Sequence, residues 1–178
     1  MPLTEYQGEI ARLLSINRTE DSYLAGGAAL NLEPQTARYS NDLDYFHDSV
    51  ERVASAFAQD SETLAKSGHR LALEIKQPGY VRAVASKGAN STKLEWAHDS
   101  AWRFLPPVKN DVTGYQLHPM DLAINKVLAL AGRDEARDYL DTLQIHRDVL
   151  PLGALCWAGA GKDPGFTPRS LLDLLQRR

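Results

Sequence analysis

Two short stretches decide the fold of this chain: residues 26–31 read GGAALN and residues 38–46 read RYSNDLDYF. Residues 23–25, just before the glycine pair, form an apolar run that fits a buried strand. Gly26 and Gly27 let the backbone turn sharply and approach a ligand before a short helix over residues 28–32. Because the free amide groups at a helix start favour anions, this turn predicts a place for phosphate.

The second stretch places two acids on one face of a strand. The strand period of two points Asp42 and Asp44 to the same side and turns Leu43 and Tyr45 into the core. Two carboxylates so close together repel unless a cation lies between them, and Mg²⁺ is commonly held by one or two carboxylates plus substrate phosphates. An isolated Asp-x-Asp pattern is often only an exposed strand end, but the preceding Gly-Gly and Arg-x-Ser favour a metal site.

The order Gly-Gly, helix, Arg-x-Ser-x-Asp-Leu-Asp resembles the DNA polymerase beta superfamily of nucleotidyltransferases, and more narrowly its AbiEii/AbiGii-type toxin branch. Residues 121–141 resemble the helical motif of that branch, which is Asp-Leu-Ala-x-x-Lys followed by Arg-x-x-x-Arg-Asp-x-x-Asp. The resemblance covers about residues 22–147. It implies an NTP donor, Mg²⁺ and, in the toxin branch, often an RNA acceptor; an antitoxin protein is a possible partner.

The resemblance also implies a set of site residues. The catalytic set is Asp42, Asp44, Glu95 and Lys126, of which the three acids would hold the metal. The substrate-binding set is Gly26, Gly27, Ala28, Arg38, Ser40, Asp138 and Asp141. Two of these positions depart from the family pattern. Ala28 stands where many relatives have Ser or Thr, and Glu95 stands where the toxin branch more often has Asp.

Glu95 is expected on a strand over residues 92–98. Leu94 and Trp96 share one face of that strand, so Glu95 points away from the apolar side. The resemblance implies that it acts as a general base or completes the metal site. An ordinary surface glutamate is the alternative, and Asp99 replaces Glu95 as the third acid if the strand is placed wrongly.

Lys126 lies on a predicted helix and is expected to project off its apolar stripe. Helix lysines are most often solvated, whereas the matching family lysine reaches nucleotide phosphates. Asp138 and Asp141 lie three apart on the next helix, where like charges repel. Two interpretations stay open for these acids: structural braces that hold Lys126 and the metal strand, or direct site residues.

The remaining patterns predict an α/β fold with a small mixed sheet of about four or five strands flanked by helices. A nucleotidyltransferase core over residues 1–118 would precede a helical C-terminal region over residues 119–178. Thr4 and Gln7 fit a capping box for an amphipathic first helix, and Asp48 can cap the helix that follows the acidic strand. Residues 71–75 and 81–86 read as a hairpin, and residues 106–114 as an irregular connection.

Composition excludes several classes of protein. The formal net charge of -3 argues against a basic nucleic-acid binder, so any RNA contact would need a local basic patch. The single Cys156 excludes an internal disulfide and a cysteine zinc site. The five scattered histidines show no zinc-like spacing. With neither a signal peptide nor a membrane span in view, the expected location is the cytoplasm.

Two other functions stay open. A nucleotide-binding regulator without turnover would tolerate a weak third acid, which the Glu95 departure allows. A small-molecule nucleotidyltransferase, such as one that modifies aminoglycosides, shares the first motif and would need an acidic pocket for a cationic acceptor. The sequence names neither the nucleotide nor the acceptor.

Overall fold

A computed structural model describes residues 3–30, 32, 40, 42–133 and 135–176 of the chain. The chain forms two compact units. The first comprises Met1–Ala101 and Pro106–Leu117, and the second comprises Trp102–Leu105 and His118–Arg178.

A mixed sheet of seven strands forms the first unit within the described residues. The strands are β1 (Ser22–Ala25), β2 (Asp42–His47), β3 (Arg70–Gln77), β4 (Tyr80–Lys87), β5 (Asn90–His98), β6 (Val108–Asn110) and β7 (Gly114–Gln116). Their order across the sheet is β3-β4-β5-β2-β1-β7-β6. The central strand β2 pairs in parallel with β5 and antiparallel with β1.

The predicted α/β class is confirmed, but the predicted number of strands is wrong. The first five strands account for the expected sheet, and β6 and β7 extend it at the β1 side. These two strands have three residues each; β6 lies in the segment predicted as irregular, and β7 begins at its last residue, Gly114. Three residues are too few to show an alternating pattern in the sequence, so their pairing depends on tertiary contacts.

Helices α1 (Glu5–Leu14) and α3 (Val50–Lys66) pack against each other and against β5. The predicted capping box of α1 is confirmed: Thr4 Oγ1 accepts from the Gln7 amide, and the Thr4 amide donates to Gln7 Oε1. The predicted cap of α3 is wrong by one residue, since Ser49 accepts from the Arg52 amide. Asp48 still belongs to the strand region, because its amide donates to the Asp21 carbonyl.

A buried charged network fixes the back of the sheet. Asp60 on α3 is fully buried and accepts hydrogen bonds from Arg18 at 2.6 and 2.7 Å and from the Trp96 indole at 2.7 Å. The Arg18 guanidinium carbon lies 4.6 Å from the ring centroid of Tyr45. Tyr45 and Trp96 are register partners on β2 and β5. Buried charges require such pairing. The network therefore packs against β2 and β5 on the sheet face opposite to Asp44 and Glu95.

The second unit contains four helices: α4 (Pro119–Arg133), α5 (Ala136–Asp148), α6 (Leu152–Lys162) and α7 (Pro168–Leu175). The predicted helical C-terminal part is thereby confirmed. Helix α6 contains Gly159, where a Cβ atom would lie 3.1 Å from Phe166 and 3.3 Å from Leu128. This glycine therefore permits close helix packing. In the described part of the chain, no helix is both long and apolar enough to cross a membrane.

Candidate metal centre

Three carboxylates converge on one face of the sheet where β2 lies beside β5. Asp44 is the register partner of Glu95, and Asp42 lies two residues earlier on β2. Leu43 and Leu94, which alternate with these acids, are fully buried. One carboxylate oxygen from each of the three acids lies within 4.8 Å of the others. The structure thus brings together the three acids that the resemblance implied.

Asp99, the alternative third acid, lies beyond the end of β5. Its carboxylate accepts a hydrogen bond from the Ser100 amide at 2.8 Å, and its own amide donates to the His47 carbonyl. Among the described residues, the acidic group that could hold a cation contains Glu95 and not Asp99.

Gly26 fits tightly against Asp44. Its φ of +62° is in the left-handed region, and a Cβ atom at this position would lie 1.8 Å from Asp44 Oδ2. Helix α2 (Gly26–Leu30) begins at this glycine and packs against β2. Only a residue without a side chain leaves the Asp44 carboxylate in its present place.

Asp42 is supported from the first helix. Ser40 Oγ donates to Asp42 Oδ1 at 3.0 Å, and Ser40 is buried. The Ser40 carbonyl in turn accepts from Gln7 Nε2 at 3.0 Å, and the same amide group donates to Thr92 Oγ1 at 3.3 Å. The Gln7 side-chain oxygen therefore caps α1, and its side-chain nitrogen holds the Ser40 backbone just before β2.

Two basic residues flank the acids on neighbouring strands. Arg82 on β4 is the register partner of Glu95, and its Nε donates to Glu95 Oε1 at 2.8 Å. Lys93 on β5 is the register partner of Asp42. Burial, together with a hydrogen bond to the Glu95 carboxylate, raises the pKa of Tyr80 to about 12. Tyr80 thus stays a neutral donor beside Glu95 at physiological pH.

The other predicted nucleotide contacts near the acids are Gly27, Ala28 and Arg38. Ala28 is fully buried, so its methyl group belongs to the core. Gly27 lies in α2, which starts at Gly26 and spans five residues instead of the predicted 28–32. Arg38 lies outside the described residues.

Lys126 belongs to a buried ionic cluster in the second unit. It is only 7% exposed, and its Nζ lies 3.2 Å from Asp138 Oδ1 and 3.0 Å from Asp141 Oδ2. Arg133 donates two further hydrogen bonds to Asp138, at 2.7 and 3.0 Å. Burial alone would raise the pKa of Asp138, but the hydrogen bonds from Arg133 and Lys126 reverse this and hold it below its ordinary value. The two acids thus face a shared cation within their own unit.

The residues at the three-carboxylate site fit a hard divalent cation. All three donors are carboxylates, as Mg²⁺ prefers, and the missing Cβ of Gly26 lets the Asp44 carboxylate lie in its present place. The three acids are partly exposed. Sequence reasoning missed Gln7, Tyr80 and Arg82 as neighbours of these acids.

No family model and no curated protein matches the sequence. Among solved structures, the fold is similar to that of JHP933 from Helicobacter pylori, with a TM-score of 0.51 and 17% identity over 97% of this chain and 90% of that chain. A Helicobacter pylori protein described as a candidate nucleotidyltransferase gives a TM-score of 0.49 and 14% identity over 95% of this chain and 89% of that chain. At these identities the likeness concerns the fold alone.

Proposed function

We propose that this protein is a metal-dependent nucleotidyltransferase that transfers a nucleoside monophosphate from an NTP to an acceptor hydroxyl. The observation that carries the proposal is the convergence of Asp42, Asp44 and Glu95, with one carboxylate oxygen of each within 4.8 Å of the others, on one face of the sheet. The order of glycine turn and acidic strand along the chain, and the close approach of Gly26 to the Asp44 carboxylate, support the same reaction.

The three acids take two roles in this proposal, cation binding and proton transfer. Asp42 and Asp44 would hold a Mg²⁺ ion, which supplies charge neutralisation at the phosphates when bound. Glu95 accepts the proton of the acceptor hydroxyl. The acceptor oxygen forms a bond to the α-phosphorus, the bond from that phosphorus to the β-bridging oxygen breaks, and pyrophosphate leaves with the electron pair.

The positions around the acids take supporting roles. Ser40 orients Asp42 through its 3.0 Å hydrogen bond. The backbone at Gly26, Gly27 and Ala28 is proposed to face the nucleotide, and Arg38 to contact it, on the strength of the motif resemblance. Lys126, Asp138 and Asp141 form a buried ionic cluster in the second unit, in which both acids contact Lys126. Contact of Lys126 with phosphate stays a prediction from the resemblance.

The acceptor is proposed from the motif resemblance to the toxin branch. That branch often modifies RNA, so RNA is the first acceptor to test, and a toxin role with an antitoxin partner is the corresponding biological proposal. An aminoglycoside-type acceptor is the competing choice because the first motif is shared.

A screen of the four α-labelled NTPs tests the reaction. The purified chain is incubated with Mg²⁺ and either total RNA or an aminoglycoside panel, and label transfer and pyrophosphate release are measured together. Mg²⁺-dependent label on one acceptor class, lost in Asp44→Asn, is the expected result. If the chain binds nucleotide but releases no pyrophosphate with any acceptor, the proposed enzyme activity is wrong and the chain is a nucleotide-binding regulator.

A further inference from the structure

The Glu95 carboxylate already has a cationic partner before any metal arrives. Arg82 Nε lies 2.8 Å from Glu95 Oε1, and the Arg82 and Glu95 side chains are 33% and 19% exposed. The Arg82 guanidinium also lies 5.6 Å from the ring centroid of Tyr80, on the same strand. The pair is therefore built into two adjacent strands, where register fixes both ends.

Arg82 changes the charge that the cluster offers to a cation. Three ionised carboxylates would present three negative charges, and one of them is offset by the guanidinium. Arginine stays charged at any physiological pH, so this offset is constant. The guanidinium at Oε1 also restricts the orientation of Glu95, and it competes with a cation for the lone pairs of that oxygen.

We propose that Arg82 is a positioning residue that competes with the divalent cation for Glu95 and thereby reserves Glu95 for proton transfer. Asp42 and Asp44 then provide the main grip on the cation, and Glu95 stays oriented beside the acceptor hydroxyl. This inference rests on the proposed function, and it assigns cation binding to two of the acids and proton transfer to the third. Arg82 weakens cation binding and strengthens catalysis, and these opposite signs set it apart from a purely structural residue.

The test measures Mn²⁺ binding without nucleotide, from the loss of the free-ion electron paramagnetic resonance signal, and transfer in a separate assay. Arg82→Met keeps the length of the side chain and removes its charge. We expect its Mn²⁺ dissociation constant to fall about 2- to 5-fold, the size expected for one partly exposed charge pair, and transfer to fall about 10-fold or more because Glu95 loses its orientation. Arg82→Lys keeps the positive charge but lacks the planar guanidinium group. Its Mn²⁺ affinity and its transfer rate should lie between those of the parent chain and Arg82→Met.

Arg70→Met is the matched control, since Arg70 lies on β3 opposite Ser86 and is exposed. It should change neither quantity. Arg82→Gln carries the same expectations as Arg82→Met and takes its place if the methionine variant melts more than a few degrees lower than the parent chain.

The outcomes separate the two proposals. Equal or weaker Mn²⁺ binding in the Arg82 variants, with binding intact in the parent chain, overturns the role of Arg82 and leaves the metal centre standing. Tighter Mn²⁺ binding with unchanged transfer also overturns it, because Glu95 would not need its partner. If the parent chain binds no Mn²⁺ and transfers no nucleotide, the proposed function fails and this inference fails with it.

Discussion

The Asp44 carboxylate occupies the space that any side chain at position 26 would need, since a Cβ atom on Gly26 would lie 1.8 Å from Asp44 Oδ2. This contact makes Gly26 a direct determinant of where the Asp44 carboxylate stands. It also gives the first glycine of the pair a steric reason that is separate from turn formation.

Gly26→Ala should therefore displace Asp44 and abolish Mg²⁺-dependent transfer. Gly88→Ala is the matched control: its φ of +60° imposes a similar backbone strain of about 1 kcal/mol, but nothing lies within 4 Å of its Cβ position. Both variants should lose similar stability from the backbone, and only Gly26→Ala should lose Mn²⁺ binding and activity. Equal activity in the two variants would show that Asp44 does not depend on this contact.

Asp42→Asn and Asp44→Asn should each abolish Mg²⁺-dependent NTP binding and transfer. The apo protein should melt at the same temperature or higher, because one of several repelling acids is removed. Melting curves with and without Mg²⁺, alongside pyrophosphate release, measure both effects. Asp99→Asn, outside the acidic group, serves as the control. Full turnover in either site variant would remove the metal from the mechanism.

Glu95→Gln should leave NTP binding largely intact and reduce transfer by about 10²-fold, the usual worth of a general base. Glutamine keeps the size of the side chain but cannot take the proton. Glu95→Asp should retain more activity than Glu95→Gln, because it keeps the carboxylate. Single-turnover rates at saturating NTP separate binding from chemistry. A parent-like rate in Glu95→Gln, with a slow Asp99→Asn, would move the base to Asp99.

Lys126→Met should destabilise the second unit by up to about 3–5 kcal/mol, because it removes the cation shared by two buried acids. Arg133→Met removes a partner whose side chain is 46% exposed and should cost about 1 kcal/mol or less. Urea unfolding measures both. Adding Asp141→Asn to Lys126→Met should recover part of the loss. A stable Lys126→Met that has lost only NTP affinity would instead favour direct phosphate binding.

His47 should make the first unit sensitive to acid. Burial, with Arg18 and Arg52 nearby, lowers the pKa of His47 to about 3, while Asp21 acts weakly in the opposite direction. Neither ring nitrogen has a hydrogen-bond partner in the described part of the chain. Because the folded pKa lies below the unfolded value of about 6.5, the stabilisation is complete above pH 6.5. It is lost as pH falls toward 3, by at most about 1.4 kcal/mol per pH unit.

His47→Leu should flatten the dependence of unfolding free energy on pH between 6.5 and 4, whereas His98→Gln, at an exposed position on β5, should not. Urea unfolding at several pH values gives the two slopes. Parallel slopes in the parent chain and His47→Leu would show that this ring does not govern the acid response.

The acidic site was predictable because its features are local. The alternation of Asp42, Leu43 and Asp44 shows which face of the sheet each side chain lies on. The apolar residues on either side of Glu95 show the same for Glu95. The Arg82–Glu95 pair could also have been predicted: Lys87 pairs with Asn90 across a two-residue turn, and counting outward from that turn places Arg82 opposite Glu95.

Other features depend on distant contacts that the sequence does not display. Lys126 is expected to project off the apolar stripe of α4, yet it is buried because α5 supplies two acids to receive it. Strands β6 and β7 are recognised only from their pairing, since three residues are too few to show the alternation of apolar and polar residues that marks a strand. The clash that would follow at Gly26 depends on the antiparallel pairing of β1 with β2, which sets the distance between the turn and Asp44.

The parallel pairing of β2 with β5 has a consequence for the order of folding. Asp44 and Glu95 are about fifty positions apart in the chain, whereas β3, β4 and β5 are joined by short turns. Local hairpins close at little entropic cost, and pairing across a long loop is slower. A chain in which β2 has not yet docked on β5 keeps its acids apart and has no complete cation site. A divalent ion held as proposed would therefore bind the finished sheet in preference to the partly folded chain, and by mass action it would favour the completion of folding.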